Sequence, residues 1–176
     1  MYARPSGEAG SRISTTSPLT GATLEPKFSA AVYRYLDASS ADIYLTDIPE
    51  PALALGTSLE GVSGQIVHLR LFVSPEAGST PIDQTACSVS IRLVVVSQSE
   101  VGIYGGGGFL FPDDDPGSST LDGNVEQATM KFIASTEHFA DRLGPSELSG
   151  SVSAPKDAAL AQRLSARIDE IASLAR

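Results

Sequence analysis

Apolar and polar residues alternate most regularly in the middle of the chain. Val67, Leu69, Leu71 and Val73 are interleaved with His68, Arg70 and Phe72, which predicts a half-buried strand with one apolar and one mixed face. After a loop marked by Pro75, Gly78 and Pro81, Cys87, Val89, Ile91, Leu93 and Val95 alternate with Ser88, Ser90 and Arg92. This predicts the central strand, with Cys87 as a buried, inert thiol. β character continues at Val101, Ile103 and Tyr104, resumes at Phe109–Phe111 after four glycines, and returns at Thr129–Ile133 with Met130 and Phe132 toward the core.

Upstream, Ala30 to Leu36 and Asp42 to Ile48 read as a hairpin turning at Asp37, Ser39 and Ser40. Pro49 and Pro51 stop its second strand, because proline donates nothing to a ladder. Roughly five to eight strands with turn signals between them predict a mainly β fold, an antiparallel β-sandwich or a rolled sheet.

The period changes at the C-terminus. Leu160, Leu164, Ile168 and Ile171 recur at helical spacing, with Arg163, Arg167, Asp169 and Glu170 off the stripe. One amphipathic helix is predicted over 155–175, with Ser153 as N-cap, Pro155 in the first turn and Asp157 against the positive dipole end. Its stripe needs a partner, first of all the sheet of its own domain, with room at Gly102 and Gly105–Gly108. Residues 1–25 carry few large apolar side chains, only Ile13, Leu19 and Leu24, and are expected to form a disordered tether to a single domain over 26–176.

Composition narrows the function classes. The chain has 176 residues, 41% of them apolar, which suits one core of ordinary size. With 12 Lys and Arg against 21 Asp and Glu, the net charge of -9 repels a phosphate backbone and an anionic membrane surface, so no nucleic acid partner is expected. No transmembrane segment is expected either, because the apolar runs are far too short to span a bilayer, as at Leu93–Val96. A single cysteine, Cys87, excludes an intramolecular disulfide and a multi-cysteine metal cage. The Ser-, Thr-, Gly- and Pro-rich stretch from Pro5 to Pro26 has the composition of a tether behind a removed signal or a lipid-anchored residue. With only three lysines present, it points to an extracytoplasmic address, a cytoplasmic one being the alternative.

Candidate chemistry is sparse. Gly105–Gly108 resembles a phosphate-cradling turn, but no Lys followed by Ser or Thr comes after it and no helix is predicted to start there. The expectation is a bent or bulged strand and no cofactor. Asp113, Asp115 and Asp122 offer hard oxygen ligands to calcium, although counting from Asp113 the sixth position is Ser118 and the twelfth Asn124, where an EF-hand needs Gly and Glu. His68 and His138 are the only imidazoles, and Gly56–Gly61 is not a nucleophile elbow. Asp42 and Asp47 are paired carboxylates of the kind a glycosidase uses, and such pairs arise by chance in an acidic chain. No catalytic residue is assigned.

Across Val101–Pro112, with its glycine run followed by Phe109, Leu110 and Phe111, the chain resembles small uncharacterised bacterial exported proteins, over its central half. That resemblance implies an envelope setting and carries over no catalytic residue. The expected function is a non-catalytic binding or structural module of the bacterial cell envelope, its ligand or protein partner unspecified. The alternatives are an enzyme with a site of scattered carboxylates and histidine, and a self-assembling subunit using the helix stripe or a sheet edge.

Overall fold

A single curled antiparallel sheet of nine strands carries the fold, in a computed structural model that describes residues 10–72 and 87–175. Strands occupy 53% of the described residues, so the fold is mainly β, and of the two architectures expected the rolled sheet is the one adopted. The strands are β1 (Arg12–Thr16), β2 (Thr23–Leu24), β3 (Ala30–Asp37), β4 (Ser40–Thr46), β5 (Ser63–Leu71), β6 (Val89–Ser97), β7 (Glu100–Pro112), β8 (Thr120–Ser135) and β9 (Ser146–Pro155). One helix, α1 (Ala158–Ala172), follows. The strands lie in the order β2-β1-β9-β8-β7-β6-β5-β4-β3, so β9 inserts between β1 and β8. At the other edge, β3 reaches back to the end of β9, where Tyr33 pairs with Lys156 and the Asp157 N–H donates to the Tyr33 carbonyl.

Both faces of the sheet bury apolar side chains. Inside the curl lie Ile43, Leu45, Val67, Leu69, Leu71, Ile91, Leu93, Leu110, Met130 and Leu148. Outside it, Tyr44, Ile66, Val94, Val96, Val101 and Ile103 are covered by Ala161, Leu164, Ile168 and Ile171 of α1. The helix stripe thus docks on its own sheet, as expected. Burial on both faces is why the alternation along β6 gives way to the apolar run at Leu93–Val96.

The glycine run is a strand, as expected, and it lies within one continuous β7 rather than between two strands. A Cβ on Gly106 would strike the Thr129 carbonyl, and one on Gly108 would lie 2.6 Å from the Ala128 Cβ. The missing side chains let β8 pass close, with register shifts at Ile103/Tyr104 and Gly107/Phe109 that tighten the curl. They leave no room for the helix: Phe139 fills the space over Gly102, and Ile133 that over Gly105.

Other expectations need correction. Residues 10–25 are not a tether, since β1 pairs with β9 from Arg12↔Ser151 to Thr16↔Glu147 and β2 pairs with β1. The inward positions of that segment are Ser11, Ile13, Thr15 and Ser17, so the alternation is real but is written mostly in hydroxyls. The hydroxyls of Ser11 and Ser17 find backbone partners, as where the Ser11 hydroxyl donates to the Ser153 carbonyl (3.0 Å) and accepts from its N–H (2.8 Å). The helix begins later than 155: Pro155 ends β9 and Ser153 lies within it, while Asp157 is the N-cap and accepts from the Leu160 N–H at 2.9 Å. Cys87 is exposed just before β6 rather than buried. The stretch from Val73 through Pro75, Gly78 and Pro81, and residues 1–9 of the expected tether, lie outside the described residues. Among the described residues, no helix is long and apolar enough to cross a membrane.

Candidate functional site

Two places gather polar side chains beyond the needs of the core. The first is a cleft of about 480 Å³ where the β6–β7 hairpin, Leu24 and the segment after β8 meet. Its apolar lining comes from Val95 on β6, Tyr104 on β7, and Phe139 and Leu143 from the connection between β8 and β9. Exposed His138 and Arg142 and half-buried Glu100 supply its charge.

Short hydrogen bonds hold that connection across the end of the sheet. The buried Tyr104 hydroxyl donates to Asp141 at 2.6 Å, and the same carboxylate oxygen accepts from the N–H groups of Leu143 (3.1 Å) and Gly144 (2.8 Å). Burial, and then the adjacent Asp141 carboxylate, push the Tyr104 phenol far above its ordinary range, so it stays a neutral donor. The Glu100 carboxylate accepts from the Thr136 hydroxyl and from the His138 N–H. Phe139 stacks toward Phe132 at a ring separation of 6.3 Å. The cleft wall is therefore fixed in place before any ligand arrives.

The second place is the outer face of β3 to β6, where register sets Arg34 beside Asp42 and Asp42 beside Arg70. Asp42 is only 1% exposed. It accepts from Arg34 Nη2 at 2.5 Å, has His68 Nε2 at 3.1 Å, and faces Arg70 Nε at 3.9 Å. Burial alone would raise its carboxyl, but the hydrogen bonds from His68 and Arg34 and the charges of His68 and Arg70 outweigh it and hold the group at about 2. Tyr44 stacks flat on His68, with centroids 4.5 Å apart. Arg92, next to His68 in register, reaches Asp169 of α1 at 3.1 Å.

The side chains singled out in the sequence fall into these places unevenly. Asp42 and Asp47 stand five residues apart on β4 and its end, roughly 16 Å along a strand and on opposite faces, too far apart for a glycosidase pair. Asp47 instead accepts from the Gln65 N–H at 2.5 Å, and burial pushes its carboxyl up. Asp113 and Asp122 face each other at the base of the β7–β8 hairpin, joined by a backbone bond of 2.9 Å, with Asp115 in the exposed loop. Among the described residues, no three His, Cys, Asp or Glu side chains are grouped to hold a metal ion, these aspartates included. His68 meets a carboxylate, yet among the described residues no hydroxyl or thiol hydrogen-bonds to it, so no nucleophile completes a triad there.

Arg167, read as lying off the helix stripe, is 2% exposed. Its guanidinium donates to the carbonyls of Ala52 (3.0 Å) and Thr57 (2.8 Å) and to Glu170 (2.7 Å), clamping the β4–β5 connection onto α1. No protein-family model, curated protein or solved structure matches this chain, so its own residues carry the functional reading.

Proposed function

We propose that this chain is a non-catalytic binding module that takes a small amphipathic ligand in the cleft beside the β6–β7 hairpin. The observation that carries the reading is the cleft itself. About 480 Å³ of space, walled by Val95, Phe139 and Leu143 and edged by Glu100, His138 and Arg142, has the size and mixed lining of a small-molecule site at the mouth of a rolled sheet. Two of its titratable groups are engaged in structure, Tyr104 with Asp141 and Glu100 with Thr136 and the His138 backbone, while the His138 and Arg142 side chains stand exposed at its edge. With its apolar contacts free, and with no described side chain hydrogen-bonded to the His138 imidazole to pair it with a nucleophile or a second carboxylate, the cleft favours holding a ligand over transforming one. The proposal includes a bacterial envelope setting, which rests on the resemblance at Val101–Pro112 and on the composition from Pro5 to Pro26.

Backbone NMR of the full chain against a library of small amphipathic compounds tests the site. Binders are expected to shift amides near Val95, Glu100 and Phe139, and Ala140→Trp, which places an indole in the cleft, is expected to abolish those shifts while leaving the rest of the spectrum in place. Binders whose shifts map elsewhere, or survive Ala140→Trp, overturn the assignment. Fractionation of the native cell tests the setting, and recovery with cytosolic markers removes it.

A further inference from the structure

The outer face of β3 to β6 supports a second site, independent of the cleft. The chain carries 12 Lys and Arg against 21 Asp and Glu, yet Arg34, Arg70 and Arg92 stand on three nearby strands of one face with His68 between them. Three guanidinium charges face the two carboxylates of Asp42 and Asp169, which leaves this face positive in an acidic protein even with His68 neutral.

The two carboxylates do not use up the arginines equally. Asp42 is spent on Arg34 and His68, and at 3.9 Å it gives Arg70 charge but no hydrogen bond. Arg70 is 55% exposed. Asp169 meets Arg92 through one contact on a 70% exposed side chain, a surface pair of small worth that a better acceptor displaces. Register places Arg70 opposite Ser90, about 5 Å away across β5 and β6, while Arg92 stands two residues along β6 from the exposed Ser90 and diagonal to Arg70, roughly 7 Å from each on the same face. Asp42 below and the Tyr44–His68 stack beside them hold the surrounding side chains in position.

We propose that Arg70 and Arg92, with Ser90 opposite Arg70 on the strand that carries Arg92, form a site for a tetrahedral oxyanion, the phosphate group of a small soluble ligand. Guanidinium forks match such oxygens with paired, charge-assisted hydrogen bonds, and Ser90 supplies a hydroxyl donor. The net charge of -9 sets the class: one phosphate group is tolerated, whereas an extended polyanion or an anionic bilayer is repelled by the rest of the surface.

Inorganic phosphate, titrated into the full chain with ionic strength held constant by sodium chloride, is the direct probe. Saturable shifts are expected at the Nε–H groups of Arg70 and Arg92 and at the Ser90 amide, with Arg70→Ala and Arg92→Ala each weakening binding about tenfold, the worth of one strong charge-assisted pair. Asp169→Asn frees Arg92 and is expected to tighten binding several-fold. Exposed arginines leave the core intact when truncated, and undisturbed shifts at Leu69 and Ile91 check this in each variant. Shifts that match those of chloride alone, or phosphate affinity unchanged in the Arg70→Ala/Arg92→Ala double variant, overturn the site.

Discussion

Asp42 is the least forgiving polar side chain in the fold, because its charge is out of water and its partners lie on two neighbouring strands. Its carboxyl titrates near 3.8 when unfolded and at about 2 when folded. A depressed folded value means that the stabilisation is complete above the unfolded value and fades as pH falls through the folded one. The difference corresponds to about 2 kcal/mol at neutral pH. Urea unfolding at a series of pH values is expected to show wild type losing that amount between about pH 4 and pH 2 relative to Asp42→Asn, which starts less stable and lacks this component of the slope. Glycine positions separate in the same residue-by-residue way. Gly106→Ala sets a Cβ on the Thr129 carbonyl, and 2.9 Å from the Met130 Cα, where only backbone can yield, so a loss of about 3 kcal/mol or outright misfolding is expected. Gly56→Ala meets open space and is strained only by φ +73, for a cost of about 1 kcal/mol. Thermal unfolding of the two variants side by side distinguishes close approach from turn geometry.

The helix is held by burial against the sheet, with Ala161, Leu164, Ile168 and Ile171 on Tyr44, Ile66, Val94 and Val96. Leu164→Ala is therefore expected to cost about 2 to 5 kcal/mol, and the loss should not vary with protein concentration, because the partner surface is in the same chain. Denaturation at two widely separated concentrations checks both statements. This helix, the β3–β4 hairpin, β5 to β7 and the second half of β8 were legible in the sequence because their inward positions are large and apolar, as at Val67, Leu69 and Leu71 or Ile91 and Leu93, whereas the first half of β8, Thr120 to Ala128, was not. β1 and β9 were not, for the complementary reason: Ser11, Thr15, Ser17 and Ser146 occupy buried positions that hydrophobic periodicity counts as surface, and in β9 the inward Leu148 and Val152 are separated by Gly150 and followed only by small Ala154. Misreading β9 also displaced the helix start, since Pro155 suits the end of a strand as well as the first turn of a helix. Of the two candidate sites, the sequence offered His68, Asp42 and His138 as scattered residues only. Their neighbours are set by register across strands far apart in the chain, as Arg34, Asp42, Arg70 and Ser90 are, and no local spacing encodes that.

For the molecule as a whole, the insertion of β9 between β1 and β8 ties the start of the described chain to its end. Ribosomes make proteins from the N-terminus, so β1 leaves the exit tunnel well before its main partner, Ser146–Pro155. Until then β1 has only the two pairs it makes with β2, and the far side of β8 has no strand beside it. The nascent chain thus carries β1 as an open edge while β3 to β8 are made, and β8 as a second one until Ser146–Pro155 follows, the condition in which unpaired strands recruit chaperones or each other. Chains stalled before Ser146 are expected to be cut rapidly by a probe protease and to bind a holdase chaperone, whereas released chains that include Ser146–Pro155 and α1 resist both. Equal protease resistance in the two sets would mean that β1 finds shelter elsewhere before β9 exists.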